Sequence, residues 1–203
     1  MLTSTPALNP RLIQPKSSLQ PTKLLGQRED YTTCHILLPE EGERLPAIAL
    51  DGHFYSFFRS LDDPQKILRI LLKLSAKGER TVMTPNKRGY AIWVHEPTAV
   101  LATSKGKASR QLPSSFGPAN CWIISDRQPG YRLCTLNVPD LPDAVPGLAQ
   151  GQKLFSLYRR EQDADNTLKL GSRLSQRGDE IVIVISNNNY GLCIYEPGAT
   201  ALN

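Results

Sequence analysis

Few residues in this chain have the types and spacing that chemistry requires. Its three histidines are His35, His53 and His95, and its four cysteines are Cys34, Cys121, Cys134 and Cys193. A metal-bound water or a structural zinc needs such ligands at short, regular intervals. No CxxC pair and no closely spaced histidine pair supplies them. Cys34 beside His35 has the types for a thiolate and its base, but adjacent side chains in a strand point to opposite faces. His95 and Glu96 are arranged the same way. Asp62 with Asp63, or Glu40 with Glu41 and Glu43, would serve as paired carboxylates; a helix cap and a solvated turn account for them more simply. No phosphate-cradling glycine loop and no nucleophile elbow occurs. The residues therefore predict a non-catalytic protein with no cofactor and no metal.

Binding is the other chemistry open to such a chain. The formal net charge of +5 would suit a polyanion, so its placement decides. The first 28 residues and the stretch 98–125 hold about +7 between them, which leaves the remainder near −2. Within the periodic regions, Arg69, Lys73 and Lys77 match Lys169, Arg173 and Arg177, each trio spaced by four along one helical stripe. Lys87 and Arg88 add charge in a turn ahead of Tyr90, and Tyr55, Phe57 and Arg59 offer rings beside a cation. These residues define an alternative reading as a nucleic-acid-binding accessory factor, with weak and salt-dependent binding. Lysines and arginines in the last turns of a helix also complement its dipole without any ligand.

The elements that must position these groups recur. Residues 31–101 and 131–201 align without a gap at an offset of one hundred, with identities that include Tyr31, Cys34, Pro46, Arg59, Asp63, Gly78, Tyr90 and Glu96. In each copy Phe54–Arg59 or Leu154–Arg159 reads as a strand. Asp63 or Asp163 then stands as an N-cap, and Gly78 or Gly178 closes a helix of about four turns. A hairpin follows through residues 81–95 or 181–195. An earlier strand near Cys34 or Cys134 joins the sheet, and Cys121–Ser125 is expected to pair with the latter across Gln128, Pro129 and Gly130. Leu68 and Leu72 fall outside the sheet-facing stripe of the first helix, and Leu72 faces Ser172 in the alignment. The pair is therefore the candidate partner-binding surface, covered by the other copy or by a protein partner.

The expected class is α+β, a tandem duplication of a strand–helix–hairpin unit with a mainly antiparallel sheet, the two copies packed together. The expected organisation is a flexible basic Pro-rich leader over 1–30, one repeat over 31–101, a basic linker over 102–120 and a second repeat over 121–203. The order of strand, helix closing on Lys77–Gly78 or Arg177–Gly178, and hairpin running through Gly89–Val94 resembles small repeat modules such as the peptidoglycan-binding SPOR type, in pattern alone. The longest apolar stretch, near Ile67–Leu74, is broken by Arg69 and Lys73, so no membrane span is expected. A cytoplasmic location follows from the cysteine usage and from prolines that interrupt any signal segment. An organelle-targeting leader is the lesser reading. The function expected is that of an adaptor or scaffold that binds a protein partner.

Overall fold

A computed structural model describes residues 19–40, 42–102, 118–187 and 189–202. Strand β1 (Thr22–Leu24) is followed by a short 3-10 turn, Arg28–Asp30. Strands β2 (Thr32–Leu38), β3 (Glu43–Leu50) and β4 (His53–Leu61) then form a meander. Helix α1 (Pro64–Ala76), the hairpin β5 (Thr81–Asn86) and β6 (Gly89–His95), and the short β7 (Val100–Leu101) complete this half. The second half begins with β8 (Asn120–Ser125) and runs through β9 (Arg132–Asn137), β10 (Val145–Gln150), β11 (Lys153–Glu161), α2 (Ala164–Gln176), β12 (Ile181–Ser186), β13 (Asn189–Tyr195) and β14 (Thr200–Leu202).

Both helices start and stop by the same local chemistry. The Asp63 carboxylate accepts from the Lys66 amide at 3.1 Å and that of Asp163 from the Asn166 amide at 2.7 Å, which satisfies an amide that the first turn leaves unbonded. At the other end Gly78 and Gly178 adopt φ of +89° and +96°. The amides of Glu79 and Asp179 then return to the carbonyls of Leu74 and Leu174.

The class is not α+β. The described residues form one mixed sheet of fourteen strands, in the order β14-β9-β10-β11-β13-β12-β8-β1-β5-β6-β4-β3-β2-β7, carrying only two helices of thirteen residues each. The strand–helix–hairpin outline, on which the SPOR resemblance rested, omits strands on both sides of each helix. Strands β3 and β10 escape a reading for alternation because each contains a proline, Pro46 or Pro146. The ladder to the next strand begins one residue later, at Ala47 or Gly147, so the missing amide costs no bond there.

The seam of the sheet overturns two further expectations. Strand β8 does not pair with β9; it runs parallel to β12 and antiparallel to β1. Its apolar run Cys-Trp-Ile-Ile is covered on both faces, as befits a strand with a parallel neighbour: Cys121 and Ile123 face the helices, and Trp122 and Ile124 the opposite side. Residues 22–30, assigned to a flexible leader, belong to the folded body. Strand β1 lies between β5 and β8 with Leu24 and Leu25 wholly buried, and the Thr22 and Thr81 hydroxyls bond each other at 2.8 Å. The rest of the leader and linker, residues 1–18 and 103–117, lies outside the described residues.

Both helices cross this seam on one face. Helix α1 lies against β8 and α2 against β1, so each helix covers the first strand of the other half. Their shared core joins Leu24, Ile67, Leu68, Leu71 and Met83 with Cys121, Ile123, Leu168, Ile181 and Ile183. The opposite face carries one apolar cluster per half, around Tyr55 and around Phe155. Among the described residues no helix is long and apolar enough to cross a membrane.

Candidate functional site

Of the leucine pair expected as a partner surface, Leu68 lies inside the fold and Leu72 at its margin. Leu68 has no exposed area, and Leu72, partly buried, packs against the core that the two halves share. Burial of a leucine stabilises by roughly 1.5–3 kcal/mol, which explains why the helix flank carries them.

The basic candidates are divided between two clefts, in each of which a helix faces the hairpin turn of the other half. Arg69 lines one with Gln65, Ile185, Asn187 and Tyr190. Lys169 and Arg173 line the other, opposite Asn86 and Gly89, and here the exposed turn bearing Lys87 and Arg88 comes near the α2 stripe. Acids are interleaved with these cations. Asp165 bonds Lys169 at 2.5 Å and accepts from the Tyr90 hydroxyl at 2.5 Å, while Arg177 pairs with Asp179 at 2.9 Å. Burial and the Asp165 carboxylate push the Tyr90 hydroxyl well above its usual range, and Lys169 and Tyr90 hold Asp165 below its own. Lys73 and Lys77 are exposed. Of the rings, Tyr55 and Tyr90 are buried, whereas Phe57 is 44 % exposed.

The histidines gather in part. His53 and His95 stand edge to face with ring centres 5.1 Å apart, and His95 is 5.3 Å from Tyr55. Burial, with help from Arg80 and His53, holds His95 below the usual histidine range. His35 is exposed on β2, apart from them. Among the described residues no three His, Cys, Asp or Glu side chains are placed to hold a metal. Asp63 serves as a cap, Glu40 and Glu43 are exposed at a turn, and Glu41 lies outside the described residues.

A concavity on the helix-free face of the second half was not anticipated from the residues. It measures about 850 Å³, is floored by Leu148, Leu157, Val184 and Cys193, and has Leu133 at its side. Asp126, Arg160, Glu161, Asp163, Ser186 and Asn189 stand around it. Its cause is a set of substitutions between the halves. Where the second half has Cys193 and Leu157, the first has Trp93 and Phe57, packed edge to face at 5.3 Å, and the Trp93 indole donates to Thr84 at 3.0 Å. Ala91 corresponds to Gly191, beside Leu157 and Val184 on this face, whereas Gly147, the counterpart of Ala47, would carry its Cβ toward Leu136 on the other face. Gly147 is obligatory where it stands, because a Cβ there would lie 2.6 Å from the Phe155 carbonyl oxygen and 2.4 Å from the Leu136 side chain. The aligned pairs Trp93 with Cys193 and Phe57 with Leu157, large against small, are the signal of this hollow in the sequence.

The acids around the hollow are already engaged. Asp126 accepts from Ser186 at 2.5 Å, Glu161 pairs with Arg159 at 2.6 Å, and Asp163 caps α2. The Arg160 guanidinium, by contrast, makes no hydrogen bond or ion pair to a described residue. Burial pushes the Cys193 thiol from 9.0 up to about 12, so it is neutral and a poor nucleophile at neutral pH. Burial likewise raises the Tyr131 hydroxyl to about 12.

These shifts have a defined sign. A folded-state pKa above the unfolded one gives stability that is fully present below the unfolded pKa and is lost as pH rises toward the folded one, because the unfolded chain sheds its proton first. The urea midpoint should therefore hold up to about pH 9 and fall between there and about pH 12. The fall should be shallower in Cys193→Ala. A midpoint flat to pH 11 would show that these groups ionise as freely folded as unfolded.

Compared with protein-family models, with curated proteins and with solved structures, the chain matches none of them.

Proposed function

We propose that the chain is a non-catalytic protein-interaction module, an adaptor, whose binding site is the hollow of the second half. One observation carries this reading: two halves built alike differ where Trp93 fills the sheet face of one and Cys193 leaves the other open. Filling a face with an indole is what core packing favours, since interiors tolerate few voids. An open counterpart with an apolar floor and a polar margin has the anatomy of a site that accepts an apolar anchor from a partner. The neutral thiol at its floor supports binding over nucleophilic chemistry.

Closing the hollow tests the reading. A random-peptide display library selected on the natural chain should yield binders with an apolar anchor, and Cys193→Trp should weaken them by at least tenfold with little change in melting temperature. Gly191→Ala adds a milder block, since its new Cβ would meet Leu157 at an ordinary 3.6 Å. Binders unaffected by Cys193→Trp, or no enrichment at all, would remove the hollow as the site.

A further inference from the structure

The hollow opens beside an unpaired sheet edge, and the two features are continuous at Leu133. Strand β14 covers β9 only from Thr135 to Asn137, so among the described residues nothing pairs with Arg132–Cys134 on that side. Backbone groups along a strand alternate in direction, and two positions show which of them point outward. Thr135 stands opposite Pro146, which has no amide to give, so its own amide and carbonyl face away from β10. At the matching place in the first half the His35 carbonyl points off the edge and accepts from the Ala102 amide at 2.9 Å. Leu133, two residues before Thr135, therefore also directs its N–H and C=O off the edge. Its side chain is 80 % exposed and forms one wall of the hollow.

The first half guards the same edge. Arg28 bonds the Tyr31 carbonyl at 2.8 Å and the Thr33 hydroxyl at 3.0 Å while its guanidinium lies 4.6 Å over the Tyr31 ring. A charged side chain placed so is a known means of blunting an open edge. Among the described residues none does this for Tyr131 and Leu133. The half whose hollow is filled thus has its edge guarded, and in the half with the open hollow no described residue guards it.

Resting on the reading of the hollow as the binding site, we infer that the partner docks as an extended acidic peptide segment that adds a short strand to β9 at Leu133. The residue opposite Leu133 exchanges backbone hydrogen bonds with it and turns its side chain to the same face, into the hollow. The acidic character follows from Arg160. Among the described residues it is the charged side chain lining the hollow with no hydrogen bond or ion pair, whereas Asp126, Glu161 and Asp163 each have one. A carboxylate arriving there meets a guanidinium whose bidentate donors no described residue takes up.

The test uses the full chain and a synthetic end-capped peptide, Thr-Val-Thr-Leu-Thr-Val-Glu-Glu, followed by fluorescence anisotropy and amide exchange. The expected results are measurable binding, exchange of the Leu133 amide slowed at least tenfold in the complex, and at least tenfold weaker binding when the central Leu amide is N-methylated. Arg160→Glu should weaken binding at least fivefold, and the same peptide ending in Lys-Lys should recover it on that variant. Leu133→Pro removes the outward amide without touching the ladder to β10, and should lose binding as the methylated peptide does. If that variant does not fold, the methylated peptide alone decides. Equal binding of methylated and natural peptides, both abolished by Cys193→Trp, would overturn strand addition and leave the hollow reading standing. Equal binding of the Lys-Lys peptide to the natural chain would overturn the acidic class. Self-association of the free chain with the Leu133 amide protected would assign the edge to a second copy and overturn the peptide; no binding of any peptide would do the same.

Discussion

Leu24→Ala should lower the free energy of unfolding by about 2–5 kcal/mol, the range for emptying a packed leucine site. The side chain has no exposed area, and its Cδ1 lies 3.0 Å from where a Cβ on Gly171 of α2 would stand, so the helix rests directly on it. Leu24 also pairs across the sheet with Met83. Both halves lose contacts when it is truncated. Against the 5–15 kcal/mol that holds most domains together, such a loss is a large fraction. Urea unfolding of the purified variant measures it. A change below about 0.5 kcal/mol, the size expected of a surface residue, would mean that β1 is not part of the seam.

Gly89→Ala should be comparably severe, at about 3 kcal/mol or more, from two separate causes. Its φ of +135° is one that residues with a side chain rarely adopt, and a Cβ there would stand 2.3 Å from the Leu61 carbonyl oxygen and 2.7 Å from the Asp62 Cα. Forcing such a backbone costs of order 1–3 kcal/mol, and overpacking typically adds 1–3 kcal/mol more. Gly42→Ala provides the control. There φ is +66° with nothing within 4 Å of the added methyl, so only the left-handed penalty of about 1–2 kcal/mol applies. Equal losses at the two positions, read from denaturant midpoints, would mean that the close approach of β6 to the Leu61 backbone is not tight.

What the residues disclosed was local, and what they concealed depended on distant partners. The N-caps Asp63 and Asp163 and the stops Gly78 and Gly178 act within one turn of chain, so the helices could be read almost to the residue. Thr22–Leu24 could not: three residues among prolines and lysines become a strand only because β5 and β8 flank them. The same holds for Cys121–Ser125, whose partners are β12 and β1, not the sequence neighbour β9. Proline at 46 and 146 masked two strands, since its missing amide falls just outside the next ladder. The basic residues were visible at once, but not Asp165, whose contacts with Lys169 and Tyr90 come from opposite halves. The hollow was written in the contrast of Trp93 with Cys193, which carries meaning only once both are known to face the same side of the sheet.

The seam has a consequence for how the chain comes to be folded. Thr22 must find Thr81 and then Cys121, so the first of the described strands to emerge is closed in only after about a hundred further residues have followed it. Contacts of such wide separation in sequence make for slow folding, because the entropy of closing a long loop is spent before the pairing rewards it. In the interval β1 presents a bare edge, and Leu24 is without the cover that α2 and the second half provide. Nascent chains with such surfaces associate readily with one another. The order of the strands thus makes the first half a vulnerable intermediate on the ribosome, a hazard that ends only when β8 has closed its edge and α2 has covered Leu24.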